Sequence, residues 1–189
     1  SYTAGFSGIY FKLTSDIDLG RHDWKPIGNY DNPFSGIFDG AGHTLNGLKV
    51  EVSAGNNYVY AGLFGYVTDG TLQNLGVHLA DAGIKAFAEK ELACAGGIAS
   101  NINVNSTAGT VILRNCYVTG NGEVKATSTE QSAFAGGIVG YVEDPGNGTV
   151  LLTHCYTTVN VTATVTVGSG NDFDMIPIAS VAFIHCCGV

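Results

Sequence analysis

Leu72-Gln73-Asn74-Leu75-Gly76-Val77 and Leu113-Arg114-Asn115-Cys116-Tyr117-Val118 are two copies of one six-residue pattern, and its recurrence decides the fold. The pattern returns as Leu152-Thr153-His154-Cys155-Tyr156-Thr157 and stands earlier as Leu45-Asn46-Gly47-Leu48-Lys49-Val50. A degenerate last copy is Phe183-Ile184-His185-Cys186-Cys187-Gly188. The fourth position advances through 48, 75, 116, 155 and 186, in steps of 27, 41, 39 and 31 residues. Periods of that size belong to solenoids, propellers and arrays, in which one supersecondary unit is stacked on the next.

A glycine pattern keeps step with the first: Gly36-Ile37-Phe38-Asp39-Gly40, Gly62-Leu63-Phe64-Gly65-Tyr66, Gly97-Ile98-Ala99-Ser100 and Gly137-Ile138-Val139-Gly140-Tyr141. Ile84-Lys85-Ala86 and Val124-Lys125-Ala126 each begin 13 residues before Gly97 and Gly137 respectively. Each full unit therefore holds about three short β-like runs separated by turns. In the six-residue pattern, position one is always Leu or Phe and reads as a core residue. Position three is Gly47, Asn74, Asn115, His154 or His185, residue types that tolerate positive φ, so it reads as a corner between two strands. Position four is Leu48, Leu75, Cys116, Cys155 or Cys186, and in stacked parallel strands these should form one internal column.

Ile84, Phe87, Ala88 and Leu92 have helical spacing within residues 81–92. The equivalent stretch 123–132 alternates, however, with Val124, Ala126 and Ser128 among polar residues, so both read as strand plus loop. Residues 159–167 (Val-Asn-Val-Thr-Ala-Thr-Val-Thr-Val) alternate most cleanly. Composition agrees: Val and Thr number 35, whereas Glu, Gln, Lys, Arg and Met together number 17. The expected fold is all-β, a right-handed parallel β-helix of about five coils. Residues 1–32 form an N-terminal cap over the unpaired edge, and 33–189 are solenoid repeats in a single structural domain. The C-terminus stops within a repeat. That implies further repeats, or a last coil packed on a partner or a neighbouring domain.

Hydrophobic residues make up 45% of the chain and charged ones 13%, which excludes intrinsic disorder for most of it. No apolar run approaches a membrane span. The net charge of -8 argues against nucleic acid and against a polybasic membrane contact. The chain begins Ser1-Tyr2-Thr3, so a leader, if the protein is exported, precedes this numbering. Cys94, Cys116, Cys155, Cys186 and Cys187 are odd in number and have no Cys-x-x-Cys spacing, so they read as small buried hydrophobes. A Cys116–Cys155 cross-link between stacked coils remains within disulfide reach.

Gly136-Gly137-Ile138-Val139-Gly140-Tyr141-Val142, followed by Leu152-Thr153-His154-Cys155-Tyr156, resembles the GLUG motif. Ala61-Gly62-Leu63-Phe64-Gly65-Tyr66-Val67 with Leu72-Gln73-Asn74-Leu75-Gly76-Val77 is similar to it as well. Leu13-Thr14-Ser15-Asp16-Ile17-Asp18-Leu19, Trp24-Lys25-Pro26-Ile27-Gly28 and residues 34–45 resemble the segment that commonly precedes such repeats. Ala99-Ser100 in place of Val-Gly, and Pro177 in place of a glycine in the last copy, depart from the motif. The resemblance spans roughly residues 10–189. It implies a β-solenoid, export, and an extracellular or outer-membrane surface setting of the kind seen in adhesin-like proteins of gut Bacteroidetes.

The candidate sites are sparse. Asp16, Asp18, Asp23, Asp31 and Asp39 fall early in the chain and would suit Ca²⁺ or a carboxylate pair, yet EF-hand spacing is absent. Capping of turns accounts for them, Asp39 above all. His22, His43, His78, His154 and His185 suggest no metal, because the last two fall on the corner column. Cys155 beside His154, and Cys186 beside His185, would point to opposite faces of a strand and form no nucleophilic dyad. Trp24 and Phe34 fit cap packing. Tyr30, Tyr58 and Tyr60 offer exposed rings for a sugar or a protein. The loops 101–109 and 143–148 occupy equivalent places on one face and contribute Asn101, Asn103, Asn105, Glu143 and Asp144. The expectation is a noncatalytic secreted or cell-surface module, adhesive toward glycan or a host or partner protein, or a stalk, with no catalytic residue, cofactor or metal. A carbohydrate-active β-helix enzyme, such as a polysaccharide lyase or hydrolase, and a purely structural spacer are the competing readings.

Overall fold

A computed structural model describes residues 6–20, 22–104, 109–143, 148–166 and the backbone of 179–182; the described residues contain strands and turns and no helix. Two short strands open the chain, β1 (Tyr10–Lys12) and β2 (Ile17–Asp18). The first complete turn is β3 (Ile37–Asp39), β4 (Thr44–Ala54), β5 (Val59–Ala61) and β6 (Phe64–Val67). The second is β7 (Thr71–Ala88), β8 (Ala93–Gly96) and β9 (Ala99–Ile102). The third is β10 (Thr110–Gly120), β11 (Val124–Ser128), β12 (Ala133–Gly136) and β13 (Val139–Val142). Another rung begins with β14 (Thr149–Thr153), β15 (Tyr156–Thr157), β16 (Val161–Val165) and β17 (Ala179–Ala182).

Every strand pairing is parallel, and strands of one turn lie on the equivalent strands of the next. A ten-stranded sheet carries β1–β4, β7, β10, β11 and β14–β16; a second holds β5, β8, β12 and β17; a third holds β6, β9 and β13. This is the expected β-solenoid. The anticipated five coils resolve into three complete turns with a partial rung on either side. Residues 81–92 follow the repeat rather than their helical spacing: β7 runs through to Ala88, and Ile84–Ala88 pair in register with Val124–Ser128. The alternating stretch 159–167 carries β16.

The corner column behaves as its residue types require. Asn74, Asn115 and His154 have φ of 51°, 52° and 53°; Gly47 also has a positive φ, 78°, but sits at an irregularity farther along its rung, between the pairs Asn46–His78 and Leu48–Leu79. Beneath the corners Leu75 pairs with Cys116, and Cys155 follows on the next rung; all three are fully buried and both cysteines are free thiols. A hydrogen bond to Cys155, then burial, pushes the Cys116 thiol well up, and both side chains fill the packed interior as small hydrophobes do.

One expectation about this column fails. Leu48 is buried, but it faces Leu79, not Leu75. Along the same rung Phe38 faces Leu72 and Asp39 faces Gln73. The stretch 36–40 therefore starts the ten-stranded sheet, not the glycine sheet, and the copy at 45–50 lies farther along its rung than its sequence match suggests. The cause is that Phe38, not Leu45, holds the rung position of Leu72, so the copy at 45–50 begins only after the corner Gly40-Ala41-Gly42. Asp39 faces Gln73 whereas Thr44 faces Gly76, so this corner uses two residues more than its successor. Ala41 takes a φ of 53°, held by Asp39 Oδ1 accepting its backbone N–H at 2.8 Å. The copies with Cys186 and Cys187, with His185 and with Pro177, lie outside the described residues.

Inward-facing residues stack into ladders that fill the tube: Leu72 on Leu113, Val77 on Val118, Ile84 on Val124, Ala93 on Ala133. Each is shielded from water. Each buried leucine or isoleucine contributes about 1.5–3 kcal/mol relative to exposure. At the N-terminal side Phe34 packs on Phe64 with ring centroids 4.9 Å apart, and Trp24 Nε1 donates to Leu63 O at 3.0 Å.

Candidate functional site

Two ladders meet where the sheet of β5, β8 and β12 turns into the sheet of β6, β9 and β13. In the first sheet Tyr60, Cys94 and Phe134 are in register. In the second Tyr66, Asn101 and Tyr141 are in register. The backbone at this bend is tight: a Cβ on Gly96 or Gly136 would collide with the carbonyl of Ala99 or Val139. The bend therefore brings side chains of the two ladders into contact. Tyr60 and Tyr66 meet edge to face at 5.3 Å, and Phe134 stacks on Tyr141 at 4.4 Å and 23°. Between these aromatic pairs the middle rung carries only Cys94 and Asn101, both fully buried.

A cleft of about 690 Å³ opens here. Tyr30, Tyr58, Tyr60, Phe134 and Tyr141 supply rings to its wall, and Leu92, Gln131, Ser132 and Glu143 complete it. Tyr30 and Tyr58 are 53% and 55% exposed, so their rings are presented to a ligand rather than to the core. Tyr30 also contacts Tyr66 edge to face at 5.6 Å. An aromatic wall with a few convergent polar groups is the usual make-up of a small-ligand site.

Glu143 is the charged group of the cleft. Its Oε1 accepts from Tyr66 Oη at 2.9 Å and from Asn101 Nδ2 at 2.7 Å, and Oε2 accepts from Asn103 Nδ2. Asn103 Nδ2 also donates to Tyr66 Oη at 3.1 Å. Burial and then the Glu143 carboxylate push the Tyr66 phenol well up, so it stays a donor. Burial does the same to Tyr60 and to the Cys94 thiol, with Glu143 adding to the effect at Cys94. Asn101 Oδ1 is buried without a hydrogen-bond partner among the described residues.

Of the candidate ligand surface, Tyr30, Tyr58, Tyr60 and Glu143 line the cleft and Asn103 bonds Glu143, whereas Asn101, expected in a loop, is a fully buried residue of β9 that reaches Glu143 from within. Asn105 and Asp144 lie outside the described residues. Tyr66, Phe134, Tyr141, Gln131 and Ser132 were not anticipated. Tyr66 and Tyr141 close their copies of the glycine pattern, and the middle copy has Asn101 in register with them; that break in the repeat was the available signal.

The early aspartates do other work. Asp39 is nearly buried and accepts from Tyr10 Oη, Gln73 Nε2, Asn74 Nδ2 and the Ala41 N–H. Burial alone would raise its pKa, but the four donors outweigh it and hold the carboxyl far below the usual range. Asp16 accepts from the Thr44 N–H and His43, and Asp23 pairs with Lys49 at 2.8 Å. Asp18 caps Gly20. His78 contacts Thr119 Oγ1, and His154 and Cys155 lie at the corner between β14 and β15, not within a strand, where His154 is exposed and Cys155 buried. Among the described residues no three His, Cys, Asp or Glu side chains cluster as metal ligands do.

No protein-family model matches the chain, so the GLUG resemblance rests on the quoted residues. One relative, from Evansella cellulosilytica and provisionally named a Gly-rich membrane protein, is 37% identical over 75 residues, which is 36% of this chain and 8% of that protein. No helix among the described residues is long and apolar enough to cross a membrane. One solved structure, a protein of Bacteroides ovatus provisionally described as an immunoglobulin A1 protease, aligns at a TM-score of 0.47 and 22% identity. The alignment covers 89% of this chain and 57% of that one.

Proposed function

We propose that the chain is a noncatalytic β-solenoid module displayed outside the cell, and that it binds glycan in the aromatic cleft. The observation that carries this reading is the convergence of Tyr30, Tyr58, Tyr60, Phe134 and Tyr141 around Glu143 on a rigid corner. The apolar face of a sugar ring stacks on an aromatic ring, and its hydroxyls exchange hydrogen bonds with carboxylate, amide and hydroxyl groups. The cleft supplies both. Its backbone is held by the ladders above and below, so little ordering entropy opposes binding. Glu143 is held by Tyr66, Asn101 and Asn103, an arrangement suited to orienting a ligand. Surface display is supported by the motif resemblance and by the membrane-protein name of the partial relative.

The test is a glycan array followed by titration of the hits, with each hit also incubated and assayed for new reducing ends and for unsaturated products. Binding without turnover is expected. Turnover would replace this reading with the lyase or hydrolase alternative. Absence of binding across the array would leave a spacer or a protein-binding role.

A further inference from the structure

The charge of the cleft identifies which class of glycan it takes. Glu143 is half-buried, and no Lys, Arg or His pairs with it among the described residues; the two ion pairs there are His43–Asp16 and Lys49–Asp23. Its hydrogen-bond donors are all neutral, so its negative charge is held in place without being cancelled. An ionised carboxylate offers about four acceptor positions, of which Tyr66, Asn101 and Asn103 use three. Gln131, in the wall, donates one of its two Nε2 hydrogens to Glu91 at 3.4 Å, which brings a second carboxylate beside the cleft. The surroundings are thus rich in acceptors and negative in potential, and the wall is made of aromatic faces. Aromatic faces attract cations and repel anions. The chain as a whole carries a charge of -8, which adds a long-range field of the same sign.

We infer that the cleft selects glycan units bearing a protonated amine, such as de-N-acetylated amino sugars, and excludes uronate and sulfated glycans. This rests on the glycan reading above and names its ligand class. The amine sits against the rings of the wall and donates to the acceptor position Glu143 keeps open, while the sugar ring stacks on Tyr58 or Tyr30. N-acetylation removes the charge and one donor. A uronate places a second negative charge against Glu143 in a partly dry site, where like charges a few ångströms apart cost several kcal/mol at an effective dielectric of about 20.

Three tetrasaccharides are titrated calorimetrically at about pH 6, where a sugar amine is protonated as α-amino groups are: tetraglucosamine, its fully N-acetylated counterpart, and tetragalacturonate. Tetraglucosamine should bind roughly tenfold or more tighter than the acetylated form, and tetragalacturonate should not bind. Raising salt from about 0.05 to 0.5 M should weaken the amine form alone. Glu143→Gln should bring the two neutral and cationic probes to similar affinity. If that variant does not fold, the salt series on the parent protein decides the same point. Equal affinity of the amine and acetyl forms, salt-independent binding of the amine, or binding of the uronate overturns the charge selection and leaves glycan binding standing. Failure of all three probes overturns the charge selection, and the glycan reading is then decided by the array alone.

Discussion

Two corners of the solenoid solve the same backbone problem and use their side chains in opposite ways. At the corner of Asn74, Asn115 and His154, each rung repeats its neighbour: one residue in left-handed backbone above, one small or medium apolar side chain beneath. At the corner between the β8 and β9 sheets, the backbone is equally constrained, with Gly96 and Gly136 each unable to carry a Cβ. Yet the side chains change from rung to rung, from Tyr60 and Tyr66 to Cys94 and Asn101 to Phe134 and Tyr141. Repetition fills a tube, because identical slots must be filled identically at interior density. Alternation of large and small rungs sets rings on either side of the buried Cys94 and Asn101, beside the cleft. Where repetition is required by winding and is nevertheless broken, a ligand is the economical explanation.

Cutting into the repetitive corner should produce the largest effect. Leu75→Ala removes the widest member of the column above Cys116 and Cys155, and by analogy with other buried leucines should cost about 2–5 kcal/mol. Urea unfolding of the variant measures it, and a loss below about 1 kcal/mol would mean the column is loosely packed. Next comes Asp39, which braces the same corner from the first rung through Gln73 and Asn74. Its carboxyl is held below its unfolded value, so its contribution is complete above the ordinary carboxylate range and disappears as pH falls through the folded value. Asp39→Asn should cost about 1–3 kcal/mol at neutral pH. The gap between variant and parent should begin to narrow below about pH 4 and close only as pH falls through the folded value. Unfolding midpoints at a series of pH values follow both proteins, whose other carboxylates titrate alike. A gap that stays constant into acid would show that the network does not depend on the charge.

The contrast between the corners also explains what could be read before folding. Asn and His on one column are chemically unlike but share tolerance of positive φ, and a residue-type argument sees that directly. Ile84, Phe87, Ala88 and Leu92 showed a helical period, and the repeat overruled it correctly because a rung must pair along its whole length. The misplacement of Leu48 has a different origin. The pattern at 45–50 satisfies every residue-type rule, but Phe38 already holds the rung position of Leu72, which leaves the pattern beyond the Gly40-Ala41-Gly42 corner. Pattern matching carries no measure of distance along a coil. At the cleft, Tyr30, Tyr58, Tyr60, Asn101, Asn103 and Glu143 stood out as aromatics or loop residues. Phe134 and Tyr141 looked like ordinary strand residues. It is register, which sets them one rung from Cys94 and Asn101, that makes them a wall.

A subtler break separates backbone from side chain at the repetitive corner. Asn115 holds a φ of 52° and donates Nδ2 to Asn74 Oδ1 at 2.9 Å. Asn115→Ala loses the hydrogen bond and places a Cβ-bearing residue with no local compensation in left-handed backbone, at a cost of about 1–2 kcal/mol. Asn115→Gly loses the same bond without the steric cost and should fall well short of that, near the few tenths of a kcal/mol expected of an exposed site. Equal losses in the two variants would assign the column to its side-chain ladder instead of to φ.

The smallest effect on stability should come from the other corner, together with the largest effect on binding. Tyr58 is 55% exposed, and among the described residues no hydrogen bond of its side chain braces the rungs. Tyr58→Ala should therefore move unfolding by about 0.5 kcal/mol or less. The same change strips a ring from the wall of the cleft, and affinity for a glycan found on the array should drop about tenfold or more. Leu75→Ala, measured at a temperature where the variant remains folded, should bind nearly as the parent does, since its cavity lies under a different corner. That double dissociation is what a division of labour between the corners demands. If Tyr58→Ala bound normally while unfolding early, the exposed rings would belong to the packing of the solenoid, and the break in repetition would need another cause.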